Sequence, residues 1–174
     1  MPLAFASAAA MLSACASKAS ELDHAAEDAL QRLYATDPDA RKVDERAKAV
    51  LIFPRILKAG LLIGGQGGDG VLLIGGKPAG YCNISAASYG LQAGGQQFSH
   101  ALFFLTESAL GYLERSHGWA IGSGPSVVVV DRGAAKSFTT TTLTQDVYAF
   151  PFGQSGSMAG IGIEGSKITE ITPH

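Results

Sequence analysis

Apolar residues along this chain follow two different periods, and the change between them divides it. From Ser20 to Ala35, the residues Leu22, Ala25, Ala26, Ala29, Leu30 and Leu33 recur at the spacing that gathers side chains on one face of an α-helix. Ser20 is placed to cap this helix, with Glu21 and Asp23 in its first turn. Its polar face holds Glu27, Asp28 and Arg32, not the lysine-rich face of a helix that lies on anionic lipid, so it is expected to pack on its own domain. Asp37-Pro38 reads as an N-cap followed by proline in the first helical turn, opening a second helix through Arg41, Lys42, Val43, Arg46 and Ala47.

After Ala49 the pattern shortens to apolar runs separated by glycine: Val50 to Phe53, Leu61 to Gly64, Val71 to Ile74 and Gly80 to Ser88, each read as a strand. Gly65-Gln66-Gly67-Gly68-Asp69-Gly70 is expected to make a hairpin between two of them. It also spells G-x-G-x-x-G, but a dinucleotide site needs a helix after the last glycine, and Val71-Leu72-Leu73-Ile74 reads as a strand. Gly90 to Gln97 and Ala101 to Leu105 continue strand-like. Thr106 caps a third helix packed through Leu110, Tyr112 and Leu113, with Arg115 in its last turn and Gly118 as its stop. Ser126 to Val130 is a β-branched run expected to be buried on both faces, and Phe138 to Thr144, Val147 to Phe152 and Gly160 to Ile171 complete the sheet. Seven or more strands, short connections and frequent strand glycines predict an α+β fold: a strongly curved or barrel-like, mostly antiparallel sheet with about three helices packed on it.

Ahead of the first helix, Leu3 to Leu12 is an apolar stretch too short to span a bilayer, ending in Leu12-Ser13-Ala14-Cys15. An aliphatic residue, two small residues and a cysteine form a lipoprotein cleavage signal, with Cys15 as the thiol that receives diacylglycerol. The expected division is a signal peptide at 1–14, a lipidated tether at 15–19 and a single domain at 20–174. The positive stretch that should precede the apolar core is missing, and the true start is expected upstream of Met1. Removing Cys15 leaves Cys82 alone, without a disulfide partner, as a small buried hydrophobe.

Of 174 residues, 22 are glycine and 16% are charged, and the net charge of −2 gives no basic field for nucleic acid. The four histidines, at 24, 100, 117 and 174, are scattered without metal-ligand spacing. Ser123 lies in Gly122-Ser123-Gly124-Pro125, which is not a nucleophile elbow. His100 reads as a satisfied core or rim histidine, and Gly160 to Lys167 inverts the order of a phosphate loop. No catalytic group, metal or cofactor is nominated. What stands out is a local basic cluster: Arg41, Lys42, Arg46, Lys48, Arg55 and Lys58 fall within eighteen residues, interleaved with Asp37, Asp39, Asp44 and Glu45. Each cation near an anionic membrane contributes about 1 kcal/mol, unless the neighbouring acids make this an ordinary solvated face.

At Ala47 to Gly60 the chain reads A-K-A-V-L-I-F-P-R-I-L-K-A-G. Further on stand Gly70-Val71-Leu72-Leu73, Ser88-Tyr89-Gly90-Leu91-Gln92-Ala93-Gly94, Ala101-Leu102-Phe103-Phe104, Gly124 to Asp131, Asp146 to Phe150 and Gly165-Ser166-Lys167-Ile168. In this order the blocks resemble the SYLF lipid-binding family, over about Ala47 to Ile171. The resemblance implies a general phospholipid-binding module, with Lys42, Arg46, Lys48, Arg55 and Lys58 as candidate head-group contacts, although the motif around Arg55 and Lys58 can equally be fold-defining. Eukaryotic members bind phosphoinositides through the domain and a basic amphipathic N-terminal helix, and some act on actin. The acidic helix at Ser20 to Ala35 departs from that pattern, and actin is not expected in a bacterial envelope.

With Ala16 after the lipidated cysteine, sorting to the periplasmic face of the outer membrane is expected. The leading expectation is a non-enzymatic envelope lipoprotein whose domain binds anionic phospholipid, docking on one leaflet or bridging two. The alternatives are a lipid-anchored structural protein that binds an envelope protein or peptidoglycan, and a carrier of an apolar ligand in the curved sheet.

Overall fold

The computed structural model describes the backbone of residues 5–130, 143–156 and 165–173, and within it the side chains of all but 5–16, 61–62, 88–93 and 156. Two helices lead the chain, α1 (Phe5–Thr36) and α2 (Pro38–Asp44), followed by two very long strands, β1 (Ala49–Ile74) and β2 (Lys77–Phe104). Then come α3 (Glu107–Arg115), β3 (Trp119–Ala120), β4 (Val127–Val129), β5 (Val147–Gly156) and β6 (Lys167–Ile171). Among the described residues the strands form one six-stranded sheet in the order β3-β6-β2-β5-β4, with β1 paired to β2. Pairing is antiparallel except between β4 and β5. The fold is α+β with a curved, mostly antiparallel sheet, as expected.

The hairpin is not where the glycine run suggested. β1 passes through Gly65 to Gly70 without turning, and reverses at Gly75 and Gly76, with φ of 60° and 76°. Two successive positive-φ residues match the right-handed twist of the flanking strands in a two-residue turn. The runs at Val50, Leu61 and Val71 are thus parts of one strand. The earlier glycines serve close approach instead. A Cβ on Gly68 would collide with the Arg55 carbonyl oxygen, and one on Gly60 with the Gly64 backbone. β1 therefore bends back on itself between Gly60 and Gly64, and the β1–β2 ribbon is folded double.

Folding the ribbon creates two cores, one on each face of the sheet. The inner, concave face gathers Leu51, Phe53, Ile56, Leu72, Cys82, Ile84, Phe98, Leu102 and Phe104, closed by α3 and by Trp119. The outer face carries Val50, Ile52, Val71, Ala101, Phe103 and Phe150, covered by Ala26, Ala29 and Leu33 of α1 and by Ala40 and Val43 of α2. Alternating residues of one strand thus serve opposite cores, as a period of two requires.

Helix starts were largely legible. Asp37 caps α2, its carboxylate accepting from the Asp39 amide at 3.0 Å, and Thr106 caps α3 through the Ala109 amide at 3.1 Å. Ser20, however, lies inside α1 and caps nothing, because the alanine-rich stretch before it has the highest helix propensity and carries the helix back to Phe5. The reversal after α3 falls on His117, at φ 49°, rather than on Gly118. β4 is half-buried along its length instead of buried on both faces. Of the other expected strands, Phe138 to Thr144 lies outside the described residues up to 142, and Gly160 to Ile171 up to 164.

Candidate functional site

The basic cluster separates into two places. Lys42, Arg46 and Lys48 sit on and just after α2, at the turn end of the ribbon. Lys48 donates its backbone N–H to the Phe104 carbonyl at 2.7 Å and borders a groove of about 400 Å³ that reaches Leu73, Gly75 and Gly76. Arg55 and Lys58 lie seven and ten residues farther along β1, on the order of 20 to 30 Å of extended strand away. The structure does not bring the five candidate cations together.

At the α2 end, acids and an aromatic ring engage much of the charge. Lys42 Nζ pairs with Asp39 Oδ1 at 3.2 Å, and the Arg41 guanidinium stands over the Tyr34 ring, 5.3 Å from its centroid. Tyr34 bonds Asp44, and burial, reinforced by that carboxylate, pushes its hydroxyl well above the ordinary tyrosine range. This face is mixed in sign, a poor match for an anionic leaflet.

The other end is different. Phe53 and Ile56 are both fully buried in the inner core, and a register shift between them absorbs Pro54 and Arg55. Ser99 Oγ donates to the Pro54 carbonyl at 2.7 Å, satisfying the group that the shift frees. The family-like segment is therefore mostly core: Leu51, Ile52, Phe53 and Ile56 have no exposed surface. Arg55 is exposed and Lys58 half-buried. Leu57 is 50% exposed and Ile63 69% exposed, and both stand on the convex side of the bend, beyond the cover of α1 and α2. The stretches 49–68 and 84–105 contain Arg55 and Lys58 and no aspartate or glutamate. Sequence reasoning named the two cations but did not single out Leu57, and read Ile63 only as part of the Leu61 to Gly64 strand. The period-two spacing carried the face they share, but not the point at which the helix layer ends.

The side chain of Cys15 lies outside the described residues. Cys82 is buried and free, and burial, with Glu170 nearby, raises its thiol to about 11, so it is no nucleophile at neutral pH. Ser123 is structural: its hydroxyl donates to the Ala120 carbonyl at 2.7 Å and its carbonyl accepts from Trp119 Nε1 at 2.9 Å. Among the described residues no three histidine, cysteine or carboxylate side chains are grouped to hold a metal. After Gly70 the chain continues as strand to Ile74, so the G-x-G-x-x-G run meets no helix N-terminus.

His100 departs from expectation. It is fully buried on the inner face, edge-on to Phe98 with ring centroids 5.7 Å apart, and neither ring nitrogen has a hydrogen-bond partner. Burial alone lowers its pKa to about 3. It is a core histidine, but not a satisfied one. One buried polar contact, Gln66 Nε2 donating to Ser166 Oγ at 3.1 Å, ties β1 to the segment before β6 and was not foreseen, since the pair is a hundred residues apart.

No protein-family model matches the chain, and no curated protein matches it. No helix among the described residues is long and apolar enough to cross a membrane.

Proposed function

We propose that this protein is a non-enzymatic, lipid-anchored envelope protein whose domain binds anionic phospholipid. The observation that carries the reading is the exposed combination of Arg55 with Leu57 on the outer face of β1: a cation beside a half-exposed leucine, in a stretch of the strand, 49–68, that has no carboxylate of its own, the nearest in the folded-back half being Asp69 after Gly68. A lipid surface satisfies both, the phosphate groups taking the charge and the acyl boundary the apolar side chain. The likeness of Ala47 to Gly60 and the later blocks to SYLF lipid-binding sequences supports the same reading. So does Leu12-Ser13-Ala14-Cys15, which would deliver the domain to a membrane on two or more acyl chains. Placement at the periplasmic face of the outer membrane belongs to this proposal.

Co-sedimentation with vesicles tests it, using the chain from Ala19 onward, which keeps the α1 residues that pack on the sheet from Leu22 to Leu33. Binding to phosphatidylglycerol or cardiolipin mixtures, absent on pure phosphatidylcholine and weakened by salt, is the expected result. Failure to bind any composition would leave Cys15 as the sole membrane contact and favour a protein or peptidoglycan partner.

A further inference from the structure

The bend of the β1–β2 ribbon and the N-terminal part of α1 lie toward the same end of the molecule. Leu30 and Tyr34 line the groove with Gly75 and Gly76, so the C-terminal part of α1 sits at the turn end of the ribbon. Eleven residues earlier, Asp23 Oδ2 accepts from the Tyr81 hydroxyl at 3.3 Å, and Tyr81 pairs with Val71, four residues up β1 from Gly75. Traced toward its N-terminus, α1 therefore runs along the ribbon from the turn toward the bend. Cys15 is eight residues beyond Asp23, roughly 12 Å farther in that direction at the rise of a helix.

At the bend itself, the Gly60 and Gly64 backbones approach so closely that a Cβ on Gly60 would collide with Gly64, and Ile63 beside them is 69% exposed. Ile63 is the most exposed large hydrophobic side chain among the described residues, and Leu57 shares its convex face. The exposed side of α1 carries Glu21, Glu27 and Asp28 against Lys18 and Arg32, a small negative excess, whereas Arg55 is exposed on the strand that leads to the bend. The turn end shows Ile74, 38% exposed, beside Lys77, but the larger exposed apolar surface, Leu57 and Ile63, belongs to the bend.

We infer that this bend, with Ile63 at its tip, is the edge that enters the membrane, and that it enters the leaflet holding the Cys15 lipid rather than a second membrane. The inference rests on the phospholipid-binding reading and names the surface and the geometry it uses. Docking on the anchor's own leaflet is intramolecular, so modest contacts suffice.

Added-tryptophan reporters in the mature lipidated protein, reconstituted into phosphatidylglycerol vesicles, test this. Trp119 is the chain's one tryptophan and is buried, so it supplies a constant background. Ile63→Trp, Lys77→Trp at the turn end and Gln31→Trp on α1 place a second indole at three exposed or outward positions. With brominated lipid in the protein's own vesicles, quenching and a blue shift at Ile63→Trp alone are expected, and Ile63→Asp in the unlipidated domain should weaken vesicle affinity roughly tenfold or more. Quenching at position 77 or 31 but not 63 would overturn the inference while leaving lipid binding intact. Quenching at 63 only when the brominated lipid is in separate vesicles would mean bridging and overturn the same-leaflet geometry. Quenching at none of the three would mean a domain merely tethered, and both the inference and the phospholipid-binding reading would fall.

Discussion

Gly70 lies so close beneath Phe53 that a methyl group on its Cα would stand 2.5 Å from Phe53 Cδ1, and 2.7 Å from the Ile52 carbonyl oxygen. This contact closes β1 on itself: one half of a single strand is the floor on which the other half packs. Because Phe53 is fully buried and the Ile52 carbonyl is part of a paired strand, neither neighbour can move aside cheaply.

Gly70→Ala should therefore destabilise the domain by about 1 to 3 kcal/mol, the usual cost of overpacking a filled core. Gly80, beside the register shift at Leu72 and Leu73, supplies the control, since a Cβ there meets nothing within 4 Å and its φ is not positive. Gly80→Ala is expected to be neutral or slightly stabilising. Urea unfolding of both variants checks the pair. Equal effects would mean that the fold-back does not depend on the missing Cβ.

The same contact explains what could and could not be read from the sequence. Helical periodicity and the caps at Asp37 and Thr106 are local, and they were legible because local hydrogen bonds decide them. Sheet curvature was legible from the number of glycines, but the role of each was not. Gly68 and Gly70 resemble turn residues, yet they permit a crossing with residues about thirteen to seventeen positions earlier, which no short-range rule reveals. The candidate site follows the same division. Arg55 and Lys58 were visible as charges, whereas the separation from Lys42 and Lys48, and the exposure of Leu57 and Ile63, depend on where the ribbon bends and where α1 ceases to cover it.

His100 should make the domain acid-sensitive. Its pKa is near 3 in the fold, against about 6.5 when unfolded, so the folded state favours the neutral ring. Above pH 6.5 both states are neutral and the ring carries no pH-dependent penalty. As pH falls below 6.5 the unfolded chain takes up a proton that the folded one refuses, and stability declines toward pH 3, by about 2 kcal/mol already at pH 5. Phe98 stands edge-on to the ring, and none of the ionisable groups described here supplies it with a hydrogen bond. His100→Leu removes two unpaired buried nitrogens and should flatten the decline between pH 7 and 5 while matching or exceeding wild-type stability at pH 7. Thermal melts across that range test it. An unchanged slope would place the acid sensitivity elsewhere.

Thr106 serves two elements at once. Its hydroxyl oxygen accepts from the Ala109 amide at 3.1 Å and bonds Asp146 Oδ1, also at 3.1 Å. Asp146 in turn takes the Ser126 amide and hydroxyl at 3.0 and 2.9 Å, bonds that hold its carboxyl below the usual range and fix the start of the parallel β4–β5 pair. Thr106→Ala is expected to cost about 1 kcal/mol from the lost cap. Thr106→Ser, which keeps the oxygen, should recover most of it. Equal loss in both variants would show that the methyl group, not the cap, matters.

The two groups of cations should behave differently on anionic vesicles. Lys42 is already paired with Asp39, and its neighbours Asp37, Asp44 and Glu45 offset whatever positive potential α2 offers. Arg55 is exposed on a stretch without carboxylates, next to Leu57. Near a lipid surface one cation contributes about 1 kcal/mol, so Arg55→Gln should weaken binding roughly fivefold, and Arg55→Glu more, while Lys42→Gln changes it little. The effect at Arg55 should shrink as salt rises, because screening removes the charge term and leaves the apolar one. Leu57→Ala should show the opposite signature, a loss that persists in high salt. Vesicle titrations of the three positions at two ionic strengths separate these cases. If Lys42→Gln and Arg55→Gln lose affinity equally, the α2 face takes part in the contact and the bend is not the sole docking edge.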